Sequence, residues 1–396
     1  MKATKACLAA VLLNIGLGVL PLWGGGVVSN GSYGPLVHAG YTPIDLDAVA
    51  PDGVLHCTTI HVPPGTVLGF VKNNLNTPVF LAATGDVLIE GTIEVNGKDY
   101  YADAGPGGNS GGPSNGEQSL PGNGPAGGQG GGPTIYFPPP VTGNAGGGGG
   151  MATAGATASE RTGPLPGLGG PALVRPVLTP GASGGGGSGG GSGSGGIINT
   201  VLIEGGAGGG GGGAIQISTP GLVTITGTIT ANGGHGAAGY GNGLTQSTGP
   251  GGGGSGGNIE IYADRLVLGS TALIQARGGA GGGYGSEPVS LDPFFYSSKA
   301  NGGAGYVFLE ANQLELDPIA GIDAIANIFP TLGIRKNGAQ VVVHWPMPAP
   351  RYFLQESADL STGSWADVTT PATLVGSENQ VSVAPVGKRF YRLIQR

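Results

Sequence analysis

Charge is scarce in this chain. Of 396 residues only 10% are charged, 16 basic and 23 acidic, for a net charge of −7. That is too little for a coiled coil or a disordered polyelectrolyte. It also argues against a nucleic-acid partner, which would need a basic stripe. Cysteine is nearly absent, with only Cys7 and Cys57. Glycine at every strict third position is missing as well, which excludes collagen. No apolar run reaches the roughly 20 residues of a spanning helix.

The longest apolar run lies at the start. Lys2 and Lys5 precede an uncharged stretch from Leu8 to Leu22, and Gly24, Gly25 and Gly26 follow. This pattern predicts an export signal over 1–26, with a retained anchor as the alternative. Export places the protein outside the cell or on its surface, with no membrane contact once the signal is removed. Cys7 would leave with the signal. Cys57, in Cys57-Thr58-Thr59-Ile60, then reads as a buried small apolar group, and the fold must hold without disulfides.

In place of charge there is glycine: 88 Gly and 31 Pro. Between the glycine tracts one unit recurs four times, over Pro78–Gly97, Ala214–Gly234, Asn258–Gly279 and Tyr306–Ala326. Each copy holds three short pieces with period-two alternation. In the second copy these are Ile215/Ile217, Val223/Ile225 and Ile229/Ala231. Period two means strands with one buried face. Three strands per turn of about 21 residues predict an all-β fold, a short right-handed parallel β-helix. It would occupy 78–326, preceded by an N-terminal segment and cap over 27–77. Within that segment Leu55–Val71 forms a preceding turn, and Tyr41–Asp52 closes the open sheet edge.

Glycine enters each repeat just after its third strand. The insertions span 98–213, 235–257 and 280–305. If the repeats stack, all three leave from one corner and lie side by side on one face. Two states fit their composition. One is flexible low-complexity loop, since glycine has the largest ordering entropy. The other is packed, extended polyglycine or polyproline-II-like strands that hydrogen-bond sideways. Charge-free runs such as 184–196 favour the second. Thr134-Ile135-Tyr136-Phe137 and Ile197–Ile203 are apolar islands that would anchor the longest insertion.

Composition changes near Asn327, which marks 327–331 as a linker. Beyond it, strands are expected at Gln340–Trp345, Tyr352–Glu356, Gln380–Ala384 and Arg389–Ile394, with Trp345, Trp365, Phe353 and Phe390 as core. This predicts a small antiparallel β-sandwich over 327–396.

The residues show little chemistry. Near Asp86, Glu90 and Glu94 the other copies place residues such as Gly221, Ile225 and Ile229, so no obvious acidic cluster is built for glycoside hydrolysis. Gly234-His235-Gly236 matches a short polygalacturonase element, but the acidic elements that accompany it are missing. The five His have no metal-ligand spacing, and no G-x-G-x-x-G string joins a strand to an apolar helix. No catalytic, cofactor-binding or metal residue is assigned, and the chain is expected not to be an enzyme.

The block Pro51–Gly97, the glycine-rich insertions and Gly227-Thr228-Ile229-Thr230-Ala231-Asn232-Gly233-Gly234 resemble secreted bacterial Gly-rich parallel β-helix proteins. The tail carries Trp345, Leu354-Gln355, Asp359-Leu360, Trp365 and Phe390-Tyr391-Arg392-Leu393. It resembles a fibronectin type III-like C-terminal module of Verrucomicrobia-type exported proteins, which implies cell-surface or extracellular placement. The expected function is a non-catalytic structural or adhesive protein that presents its glycine-rich face to an extracellular polysaccharide, an envelope component or a protein. Tyr240, Tyr284, Phe294, Phe295 and Tyr296 offer aromatic contacts in the shorter insertions. The alternatives are a carbohydrate-binding or polysaccharide-degrading β-helix protein, and a subunit that self-associates into filaments.

Overall fold

A computed structural model describes residues 7–9, 26–41, 43–50, 52–114, 118–132, 141–158, 166–198, 201–240, 246–283, 300–317, 320–323, 325–330, 332–337, 340–346, 352–359, 364–375, 378–384 and 389–395. The fold is nearly all β, with parallel and antiparallel sheets. The larger parallel sheet runs, in spatial order, from Gly34–Val37 through Leu55–Val62, Val79–Ala83, Ala214–Ile225, Asn258–Leu268 and Tyr306–Leu316 to Ile325–Pro330. A second parallel sheet orders Val67–Leu68, Thr92–Glu94, Thr228–Thr230, Leu273–Gln275 and Gly321–Asp323 in the same direction.

Register follows from the period-two pattern. Ile217 pairs with Leu81 on one side and Ile261 on the other, and Ile261 pairs with Leu309. In the second sheet Ile229 sits between Ile93 and Ile274. Each of these side chains is buried, and all belong to one continuous apolar cluster. A one-residue slip would turn every one of them to the opposite face and bring polar neighbours such as Gln216 and Glu260 into the apolar core, so the columns lock the register. Removing one column member, as in Ile229→Ala, costs about 2–5 kcal/mol.

Three details differ from the sequence expectation. The first two pieces of copies two to four run as single strands. In Ala214–Ile225 the register shifts between Thr219 and Leu222, so Pro220-Gly221 bends the strand without ending it. The expected linker falls largely within Ile325–Pro330, a strand parallel to Tyr306–Ala311, because Ile328 still pairs with Leu309. At the other end, Gly34–Val37 adds a strand beside Leu55–Val62. The short helix Leu46–Val49, capped by Asp45, buries Leu46 in the core.

The C-terminal region forms two antiparallel sheets. One contains Gly333–Asn337, Gln340–Pro346, Glu378–Val383 and Thr373–Val375; the other contains Phe390–Gln395, Tyr352–Ser357 and Ala366–Asp367, with Cys7–Ala9 at its edge. Val343, Trp345 and Val381 of the first share a core with Leu354, Tyr391 and Leu393 of the second. Phe390 is also buried. Phe353 is not core: strand alternation points Leu354 inward, which leaves Phe353 47% exposed. Trp365 is half-buried, and the Arg392 guanidinium lies 4.3 Å from its ring centre.

Candidate binding flank of the glycine bundle

Over their described residues the glycine-rich insertions are packed. Segment 249–257 shows how. Its N–H groups donate in rotation to three neighbours. Gly249, Gly252 and Ser255 donate to Ser194, Gly191 and Ser188; Gly251, Gly254 and Gly257 to Ala237, Gly234 and Ala231; Gly253 and Gly256 to Ala300 and Gly303. Its carbonyls accept in the same rotation from segments 206–212, 146–149 and 279–282. The segment therefore has six neighbours and a repeat of three residues. That is the geometry of a polyproline-II-type strand, which has three residues per turn and no internal hydrogen bonds. Segment 186–194 is enclosed in the same way, by 107–112, 120–123, 128–131, 144–147, 206–212 and 249–255.

Glycine is required here for its missing side chain. A Cβ at Gly251, Gly252, Gly253, Gly254, Gly256 or Gly257 would lie within 3.0 Å of a neighbouring backbone atom. Where a neighbour leaves room, serine appears. The Ser192 and Ser194 hydroxyls accept the N–H groups of Leu120 and Asn144 at 2.7 and 2.8 Å. The ordering entropy of glycine is thus set against peptide groups that are nearly all satisfied and closely packed.

A strap over 173–178 ties the bundle to the outer face of the larger parallel sheet. Arg175 forms an ion pair with Glu260, whose side chain is 2% exposed, and its guanidinium stacks 3.9 Å from the Phe308 ring centre. Gln216 Nε2 and the Tyr262 hydroxyl also donate to Glu260, at 3.0 and 3.3 Å. Leu178 is buried with Val54, Phe80, Ala82 and Ala214. Burial pushes the Tyr262 hydroxyl and the Glu310 carboxyl up, the latter to about 7, with Arg175 opposing in both cases. Between strap and bundle lies a cleft of about 390 Å³, lined by Asn109, Pro125, Met151, Leu173, Val174 and Pro176. None of the described residues that line it is titratable.

One flank of the bundle carries side chains at a three-residue spacing. Asn232 and His235 lie on one segment, Arg277 and Ala280 on the next. They form two ladders. Asn96 Oδ1 accepts the Asn232 N–H, and Asn232 Oδ1 accepts the Arg277 N–H, both at 2.8 Å. Asp99 Oδ1 accepts the His235 N–H at 2.8 Å, and His235 Nδ1 accepts the Ala280 N–H at 2.7 Å. The last bond puts the neutral ring's proton on Nε2. His235, set aside as a catalytic candidate in the sequence, has a positioning role in the bundle.

Beside His235 the chain turns through 98–103. Lys98 donates its N–H to the Asp103 carbonyl, and its ammonium lies 3.4 Å from the Asp103 carboxylate. Tyr100 has φ +62° and donates its N–H to the His235 carbonyl at 2.8 Å. Its ring centre is 6.5 Å from that of His235. Tyr100 and Tyr101 are 45% and 69% exposed. Lys72 stands close by. Desolvation lowers the pKa of its ammonium, the Asp103 charge raises it and the Lys98 charge lowers it further.

Of the aromatic residues singled out in the sequence, Tyr240 is 62% exposed; Tyr284, Phe294, Phe295 and Tyr296 lie outside the described residues, as do Thr134–Phe137. Tyr100 and Tyr101 were not singled out. The available signal was the charged, aromatic run Lys98-Asp99-Tyr100-Tyr101 at the exit of the first repeat.

The acidic residues of the first repeat do not converge. Asp86 Oδ1 accepts the Leu222 N–H at 2.9 Å, Glu90 pairs with His61 at 2.9 Å, and Glu94 is exposed. Among the described residues no three His, Cys, Asp or Glu could together hold a metal ion. The Cys57 thiol is buried, which pushes it up to about 12. The chain matches no protein-family model, no curated protein and no solved structure.

Proposed function

We propose that this is a non-catalytic, exported structural or adhesive protein of the cell surface. In this reading the parallel sheets wind as a right-handed β-helix. The glycine bundle rides on one side of it, and a fibronectin type III-like β-sandwich at the C-terminus attaches it to an envelope component or other partner. The observation that carries the reading is the six-neighbour packing of segments 186–194 and 249–257. Such a body is rigid, nearly uncharged and built almost entirely of backbone. It suits the display of a surface and offers few groups for proton transfer or nucleophilic attack.

The in-register aliphatic columns support the β-helix, and the core shared by the two antiparallel sheets supports the sandwich. Lys2, Lys5 and the apolar run Leu8–Leu22 support export.

The test has two arms. Full-length protein is incubated with cell-envelope fractions and with polysaccharides, and sedimentation of bound protein is measured beside release of reducing or unsaturated ends. Binding without release is expected. Polysaccharide cleavage above a heat-treated control would replace this reading with an enzymatic one.

A further inference from the structure

We propose that the turn 98–103, with His235 beneath it, is a binding site for a neutral polysaccharide. This rests on the adhesive reading above and gives it a location.

The starting point is backbone strain. Among the described residues only Asn76 and Tyr100 are non-glycine residues with positive φ. Asn76 is explained by its side chain, which accepts the Gly107 N–H at 3.0 Å and donates to the Gly108 carbonyl at 2.7 Å. Tyr100 has no such anchor. Among the described residues its hydroxyl has no hydrogen-bond partner and its ring makes one tilted contact, with His235. The left-handed conformation therefore serves to present the ring. A residue held in a sparse backbone region, with no structural return from its side chain, marks a functional position.

The surroundings identify the ligand class. Tyr100 and Tyr101 offer two adjacent exposed rings, the flat apolar surface that the C–H face of a sugar covers. Around them stand Lys98 and Asp103, whose side chains are both 68% exposed, and Lys72. Donors and acceptors thus ring an aromatic platform, as a polyhydroxylated ligand requires. The formal charges of Lys72, Lys98, Asp99 and Asp103 cancel, so a polyanion gains no net attraction and a neutral glycan loses none. Tyr240, also exposed, lies five residues beyond His235 on the same extended segment. At 3.1 Å per residue that is about 15 Å, a span that favours a polymer over a single sugar. A protein partner would need about 800 Å² on this side. Among the described residues, the segment that joins His235 to Tyr240 is Gly236-Ala237-Ala238-Gly239, too small to anchor one.

The experiment is affinity electrophoresis of the full chain through gels containing hydroxyethyl cellulose, xyloglucan, dextran or polygalacturonate. Retardation is expected in at least one neutral gel and not in polygalacturonate. Tyr101→Ala and Lys98→Ala should each weaken it at least tenfold. Phe353→Ala, which removes a 47% exposed ring in the C-terminal antiparallel sheet, should leave it unchanged. Unaltered thermal midpoints would show that the variants fold. Retardation that survives in Tyr101→Ala overturns the site while leaving glycan adhesion standing. Absence of retardation in every neutral gel also overturns the site. The adhesive reading falls with it only if the envelope fractions fail to bind as well.

Discussion

Ser188 and Ser255 face each other across the middle of the glycine bundle. The Ser188 N–H donates to Ser255 Oγ at 2.8 Å, and the Ser255 N–H donates to the Ser188 carbonyl at 2.9 Å. Both residues are 0% exposed, although they lie 67 positions apart in the chain. The two glycine-rich runs are therefore core, and the protein has a second interior made of peptide groups beside its aliphatic one.

Enlarging a glycine in that interior should be costly. Gly252→Ala puts a methyl group within 3.0 Å of the Gly147 backbone, and the enclosing segments have no side chain that can rotate away. A loss of about 3 kcal/mol or more is expected, at the upper end of overpacking costs. Gly34→Ala is the comparison: φ is +84° with nothing within 4 Å, so only conformational strain of about 1–2 kcal/mol applies. Urea denaturation of the two variants checks the difference. Equal, small losses would mean the bundle is loosely packed.

Arg175→Ala should be more damaging than its partly exposed surface suggests. It leaves the Glu260 carboxylate buried without its cation, which costs about 3–5 kcal/mol. Adding Glu260→Gln removes the stranded charge and should recover a good part of that loss. A double-mutant cycle by thermal and urea unfolding reads the coupling directly. Additive losses would show that the ion pair contributes nothing.

Glu310 should make stability depend on pH. Burial raises its carboxyl from 4.5 to about 7, with Arg175 lowering it and Glu260 raising it further. The folded value lies above the unfolded one, so the native state binds this proton more tightly. Its stabilising contribution is complete below about pH 4.5 and is lost as pH rises through about 7. His344 acts oppositely, since burial lowers its pKa and its contribution is lost as pH falls. The difference between wild type and Glu310→Gln isolates the first effect. The thermal midpoint of the variant should fall less between pH 5 and pH 8, and parallel curves would contradict the assignment.

Tyr100→Gly should separate stability from binding. Glycine accepts φ +62° without the Cβ conflict, so the variant should gain about 1 kcal/mol, offset in part by unfolded-chain entropy. Glycan retardation should weaken at the same time. A variant that loses stability would show that the tyrosine ring supports the turn.

The aliphatic part of this fold was legible residue by residue. Ile215, Ile217, Ile229, Ile259 and Ile261 alternate with polar neighbours, and alternation alone assigns them to a buried strand face. The C-terminal strands were legible for the same reason. Phe353 was misassigned because hydrophobicity was weighed without counting which face it occupies. The strand through Ile325–Pro330 was missed because the composition shift begins inside it.

The candidate site was much less legible. Tyr100 becomes notable only through its φ and its place against His235, which lies 135 residues later in the chain. Arg175 and Glu260 are 85 residues apart, and no local pattern links them.

What the sequence determined by itself is the alternation that builds the parallel columns and the points where glycine enters. Both are local, because strand period and absence of a side chain are properties of short stretches. Only the tertiary structure decided that the glycine tracts form a solid. A polyproline-II strand has no hydrogen bonds of its own, so it is ordered only by neighbours on every side, and those come from insertions far apart along the chain.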